Sequence, residues 1–264
     1  MKIRAFIAFL AALVSFGVII VFILSPLVLL RSFFKHPATG IMRLITLWGD
    51  RAFRIVCVIL RIQSTFSLPA LQAMPRCIII CNHQSTMDIL VVLAALRGLN
   101  LLNTRWVGKR EALRYPFIGY LVRKSGALLV DRDGNPDDRR RIHEGAARAR
   151  HEGASPFLFP EGTRFAGKGP IPGSGFRHVL PPKPGGFYSL RDAVPDAPVL
   201  SLTLCWTSGI GERAEAKTIF QSAEYFGARV LVTARLVWAR EIDADPDWLY
   251  HEWERKDAEL DRPA

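Results

Sequence analysis

From Ala5 to Leu30 the chain carries no charged residue, and Ile, Leu, Val and Phe dominate; Lys2 and Arg4 precede the run, and Arg31 and Lys35 follow it. About 20 consecutive apolar residues suffice to cross the hydrocarbon core of a bilayer, so this run is long enough to span one. A cleaved signal peptide would share the basic start, but its apolar region is only about 7 to 15 residues and ends in a small-x-small site, which is missing here. The run is therefore expected to be a membrane anchor. Basic residues are denser after Leu30 than before Ala5, which predicts the remainder on the cytoplasmic side of a cell inner membrane.

At 264 residues there is room for one α/β domain with a full core plus an accessory segment. The net charge of +11 suits an anionic partner. Half the residues are apolar and the mean hydropathy is positive, which favours the bilayer over nucleic acid, and no zinc-finger or RNA-recognition pattern is present. Between Ile41 and Ile62 apolar residues recur at helical spacing, with Arg43, Asp50, Arg54 and Arg61 on another face. Such a helix can lie in the headgroup layer with its arginines on lipid phosphates, or pack on the soluble domain. The expected division is a membrane-anchoring helical segment over 1–63 and a catalytic domain over 64–264.

The body alternates strands and helices. Strands are expected at Cys77–Cys81, near Arg105–Val107, and at Ala127–Val130, Phe157–Phe159, Pro198–Trp206 and Val230–Trp238. Helices are expected at Ser85–Leu96, near Glu111–Val122, from Asn135-Pro136 to about His151, and after Pro246. The Gly- and Pro-rich stretch Phe165–Gly186 reads as a long loop. This order argues a layered α/β domain with its active groups in loops at the carboxyl ends of strands. Cys57, Cys77, Cys81 and Cys205 form no CxxC pair and read as buried, inert thiols, Cys77 and Cys81 on one face of their strand.

Two short motifs carry chemistry. In Asn82-His83-Gln84-Ser85-Thr86-Met87-Asp88, where a strand turns into a helix, Asp88 in the first helical turn can reach back to the His83 ring. A carboxylate on one ring nitrogen fixes the tautomer and leaves the other to take a proton from a hydroxyl, a general-base dyad. Ser85-x-x-Asp88 is also close to a capping box, and both roles hold together if the two carboxylate oxygens divide the work. In Phe159-Pro160-Glu161-Gly162-Thr163-Arg164, Gly162 allows close backbone approach to a ligand, and Arg164 offers a planar fork that matches phosphate. Glu161 can orient that arginine or meet an acceptor hydroxyl.

Over roughly Arg76 to Leu204 these residues resemble the phospholipid and glycerolipid acyltransferase family, whose blocks are NHxxxxD, a glycine-to-arginine block, FPEGTR and a proline-containing strand. The first and third blocks match fully. For the second, Lys109, Tyr115-Pro116-Phe117-Ile118-Gly119 and Gly126 to Arg132 correspond. The fourth departs, with Ser201 where a second proline is common, and His178 to Gly186 looks like a lysocardiolipin-type and bacterial branch. The resemblance implies a layered α/β glycerolipid-acyltransferase-like fold behind the N-terminal anchor. It also implies His83 and Asp88 as catalytic residues, with Lys109, Arg132, Glu161, Gly162, Thr163 and Arg164 binding substrate. The substrates implied are a lysophospholipid acceptor such as 1-acylglycerol-3-phosphate and an acyl-CoA or acyl-carrier-protein donor, with no cofactor and no metal. No GxSxG elbow is present, and Ser174 sits in a loop, so the acceptor hydroxyl is expected to attack the thioester directly. A hydrolase using the same histidine, or a noncatalytic membrane scaffold, are the competing readings.

Overall fold

The computed structural model describes residues 37–70, 74–115, 118–131, 136–165, 170–207 and 225–261. The Ala5–Leu30 run lies outside these residues, as does Arg132. Among the described residues no helix is long and apolar enough to cross a membrane.

In chain order the elements are α1 (Pro37–Leu60), β1 (Gln63–Ser67), β2 (Ile78–Cys81), α2 (Asp88–Gly98), β3 (Thr104–Lys109), a 3-10 turn (Arg110–Arg114), α3 (Ile118–Lys124), β4 (Leu128–Val130), α4 (Pro136–His151), β5 (Ser155–Leu158), α5 (Pro184–Ala193), β6 (Val199–Thr207), β7 (Arg229–Val237), α6 (Ala239–Asp243) and α7 (Trp248–Leu260). The strands form one sheet in the order β1-β7-β6-β2-β5-β3-β4. From β6 to β4 all neighbours are parallel, with Ile79 opposite both Phe157 and Leu200; β7 runs antiparallel to β6, and β1 parallel to β7.

Parallel strands covered on both faces read as continuous apolar runs, and β2 is buried at every position. Its alternate side chains divide between two cores. Cys77, Ile79 and Cys81 face a cluster with Phe53 of α1 and Val91, Val92 and Leu96 of α2. Ile78 and Ile80 face another with Ile142 of α4, Phe187 and Leu190 of α5, and Trp253 of α7. Cys77 and Cys81 therefore share a face as expected. None of the four cysteines is in a disulfide, and Cys57 is only partly buried.

The helix α1 uses both faces. Ile41, Ala52, Phe53 and Leu60 are buried, and a Cβ on Gly49 would lie 2.4 Å from a Leu93 methyl, so α1 and α2 pack in direct contact. Arg43, Arg51 and Arg54 are exposed beside Ile55 and Val58. Asp50 departs from the expected polar face: it is buried and pairs with Arg54 at 3.1 Å.

Three expected boundaries move. The helix expected over Glu111–Val122 is a 3-10 turn and a separate α3, because Pro116 disfavours helical backbone at Tyr115, which is extended at φ −78, ψ 126. The helix expected from Ser85 begins at Asp88. The end of the Phe165–Gly186 stretch is the first turn of α5, with Pro184 at a first-turn position where its missing N–H costs nothing.

Candidate active site

The strands β2, β5, β3 and β4 are adjacent and parallel, so the segments leaving their carboxyl ends gather on one edge of the sheet. His83 follows β2, Glu161 follows β5, Lys109 ends β3 and Asp131 follows β4.

Asp88 is fully buried at the start of α2. Its Oδ2 lies 2.9 Å from His83 Nδ1 and accepts the Ser85 N–H at 2.8 Å. Its Oδ1 accepts from the Ser85 hydroxyl at 3.1 Å and from the Trp206 indole N–H at 2.9 Å. One carboxylate thus holds the ring and the turn together. The Ser85 hydroxyl does not cap α2 as a capping box would; it accepts the Met87 N–H at 3.1 Å, and the turn precedes the helix. The His83 ring lies flat on Phe159, with centroids 4.0 Å apart and planes at 13°. With Nδ1 committed to Asp88, the tautomer that donates there leaves Nε2 as the ring's acceptor.

The second motif closes over the first. Glu161 is buried, and its two oxygens accept the backbone N–H groups of His83 at 2.9 Å and Leu180 at 3.2 Å. Burial pushes its carboxyl up to about 8, against the two donors and despite Lys256. Glu161 thus braces two loops, and Arg164, its expected partner, contacts Thr86. Gly162 turns at φ +69, a left-handed conformation that favours glycine, and the Lys183 side chain lies 3.4 Å from where its Cβ would stand. Thr163 is half-buried, and Arg164 is exposed with Nη1 on the Thr86 hydroxyl. The Phe165 N–H donates to the His83 carbonyl at 2.7 Å, which ties the two motifs by backbone as well. Lys109 is half-exposed and pairs with Glu111 at 2.9 Å. Arg132 lies outside the described residues, next to Asp131, which Arg141 and Arg110 hold below the usual carboxylate range.

Residues that sequence reasoning passed over complete the frame. Asn82 donates to the Leu204 carbonyl at 2.9 Å and accepts the Leu204 N–H at 2.8 Å, extending the pairing of β2 with β6 by one side chain. Gln84 donates to the His178 carbonyl, and Asp257 of α7 accepts the N–H groups of Arg177, His178 and Val179. Lys183 touches the Glu-Gly-Thr-Arg turn by its backbone too, donating to the Pro160 carbonyl at 2.8 Å. Asn82 and Gln84 stand inside the first motif, but Lys183 and Asp257 reach the site only through the fold. Burial drives the Cys81 thiol well above its ordinary range, Cys77 up to about 12 and Cys57 up to about 11, so none is a ready thiolate. Among the described residues no cluster of three or more His, Cys, Asp or Glu is disposed to hold a metal ion.

An α/β domain with a His–Asp pair after one parallel strand and a Glu-Gly-Thr-Arg turn after its neighbour has known relatives. The Acyltransferase family model matches residues 65–204, more than half of the chain, and the chain belongs to that family. It is 31% identical over 126 residues to the 1-acyl-sn-glycerol-3-phosphate acyltransferase of Haemophilus influenzae, covering 47% of each chain. It is 33% identical over 125 residues to the enzyme of the same name from Escherichia coli, covering 46% of this chain and 45% of that one. The match thus spans just under half the length of these relatives. In fold, the chain is similar to the crystal structure of the 1-acyl-sn-glycerophosphate acyltransferase PlsC from Thermotoga maritima, with TM-score 0.65 and 20% identity over 97% of this chain and 94% of that one.

Proposed function

We propose that this protein transfers a fatty acyl group from an acyl thioester, acyl-CoA or acyl-carrier protein, to the hydroxyl of a lysophospholipid such as 1-acylglycerol-3-phosphate. The observation that carries the reading is the 2.9 Å contact between His83 Nδ1 and the buried Asp88, on the edge that also carries Arg164 and Lys109. His83 Nε2 takes the proton of the acceptor hydroxyl as its oxygen bonds to the thioester carbonyl carbon. The carbon–sulfur bond then breaks, and the leaving thiolate takes the proton back from the imidazolium, which Asp88 stabilises until then. No enzyme nucleophile enters. Near the ring, the Ser85 hydroxyl is bound to Asp88, the Thr86 hydroxyl to Arg164, and Cys81 is sealed in the core.

Arg164, Lys109 and Arg132 would hold the acceptor phosphate, with Gly162 and Thr163 lining its approach; Glu161 would keep the two loops in register. Arg164 is suited to this because a guanidinium makes paired, charge-assisted bonds to phosphate oxygens. Residues 1–63 would attach the protein to the cytoplasmic face of a cell inner membrane, leaving 64–264 as the catalytic domain. The names and matched regions of the relatives support this substrate class.

The test is thiol release from acyl-CoA or acyl-carrier protein, with product lipids read by mass spectrometry across a panel of lysolipids. Thiol release is expected to be slow alone and fast with a lysophospholipid, yielding a diacyl product. Equally fast release without acceptor would make the protein a hydrolase.

A further inference from the structure

Asp88 acts through His83, and the residue on its other oxygen comes from a distant part of the chain. Trp206, on β6, is 1% exposed, and its indole N–H donates to Asp88 Oδ1 at 2.9 Å. Its position is set twice. Leu202 pairs with Cys81 in the sheet, and two residues on, Asn82 grips both polar groups of the Leu204 backbone. Alternate strand residues share a face, so fixing Leu202 and Leu204 directs Trp206 to the same side as Asp88. Tyr225 stands edge-on to the indole at 4.8 Å between centroids and closes the far side.

We infer that Trp206 is a positioning residue of the His83–Asp88 pair, fixing the orientation and basicity of the Asp88 carboxylate through its indole N–H. This rests on the reading of His83 as the general base. Of the four hydrogen bonds to Asp88, one comes from the ring and two from Ser85, in the same short loop. Among the described residues only the indole ties the carboxylate to the sheet. Indole is a donor with no acceptor site, so it stabilises the ionised carboxylate and cannot swap roles with it. The titratable groups around Asp88 are His83, which it touches, and Cys81 at the end of β2 and Glu161 after β5, which interact with it electrostatically; Lys256 from α7 interacts in turn with Cys81 and Glu161. None of these replaces a lost donor on Oδ1, where the two bonds come from Ser85 and Trp206.

Trp206→Phe keeps an aromatic ring in the core and deletes the donor. Transfer is expected to fall about tenfold in kcat because the carboxylate, released from the indole, no longer holds the ring in line, with acceptor KM little changed. A carboxylate short of one donor is the stronger base and holds the imidazolium more tightly, so the acid limb of kcat/KM should move to higher pH. A ring that merely fills space would lower the melting temperature and leave that limb in place, and this result would overturn the inference. Trp206→Met, a flexible apolar filler without a donor, must give the same displacement. Should neither variant fold, the indole N–H resonances of the full chain are compared with those of Asp88→Ala; if none moves, the contact does not exist in solution. His83→Ala run in parallel separates the two levels: if it retains turnover, the general-base reading fails, whereas an inactive His83→Ala with an unshifted Trp206→Phe profile sinks only the role of Trp206.

Discussion

From the described residues the Asp88 carboxylate accepts four hydrogen bonds, and only the one from His83 Nδ1 touches the group proposed to move a proton. His83→Ala should abolish transfer while leaving the acyl donor bound, because a positioned base contributes at least about 100-fold. Asp88→Asn should be severely but less completely impaired, and the double variant should cost little more than His83→Ala, since residues acting as one unit are strongly non-additive. Initial rates of the three proteins check this; turnover above about a tenth of wild type in His83→Ala is too much for a lost base. Arg164→Ala should raise KM for the acceptor more than for the donor, and equal acceptor KM in a folded variant would make the arginine structural. Glu161 gives a pH signature. Its ordinary value is 4.5 and the folded protein raises it to about 8, so the stability it contributes is complete below 4.5 and is lost as pH rises through about 8. Glu161→Gln cannot ionise, and its amide NH2 faces a backbone N–H at a cost of about 1–3 kcal/mol. The melting-temperature gap between wild type and variant should therefore narrow from pH 5 to pH 9, and a widening gap would contradict the assignment.

At the scale of elements, the second block depends on one close approach. A Cβ on Gly119 would stand 2.3 Å from the Leu113 carbonyl oxygen, so α3 and the 3-10 turn can meet only with glycine there. Gly119→Ala should cost about 1–3 kcal/mol, as overpacking does. It should also raise acceptor KM, since the turn begins at the residue after Lys109; an unchanged melting temperature would mean the elements part without strain. The sequence made β2 readable because it is apolar throughout, and a continuous apolar run between turn signals has few other destinations; β6 is buried at all but its last position, although Ser201 and Thr203 interrupt its apolar residues. The sequence made β1 unreadable, since Gln63–Ser67 is polar and mostly exposed and pairs with β7 alone, so long-range pairing decides it. Proline misled in both directions: Tyr115-Pro116 breaks an otherwise periodic run, while Pro184-Gly185-Gly186 looks like loop and opens α5. The His83–Asp88 contact was legible because five residues join its partners. Those of Asp88 with Trp206 and of His83 with Glu161 were not, because 118 and 78 residues separate them.

At the scale of the molecule, two kinds of membrane attraction should be separable by salt. Attachment through the uncharged Ala5–Leu30 run would bury apolar surface, which ions do not screen. The outer face of α1 presents Arg43, Arg51 and Arg54 beside Ile55 at 52% and Val58 at 80% exposure, a mixture suited to phosphates and acyl chains at an interface. Arg54 keeps its side chain exposed while pairing with the buried Asp50, so the ion pair does not withdraw that arginine from the surface. Each basic residue near an anionic leaflet adds about 1 kcal/mol, so replacing the three arginines by glutamine should weaken vesicle binding about 100-fold at low salt. That measurement uses protein lacking residues 1–36, on vesicles with and without anionic lipid. The full chain should instead stay on membranes through a high-salt wash and leave them in detergent, with the three substitutions making little difference. Complete release of the full chain by salt alone would refute an embedded anchor, and binding of the shortened protein that ignores both salt and the arginines would mean that α1 faces the membrane through Ile55 and Val58 alone.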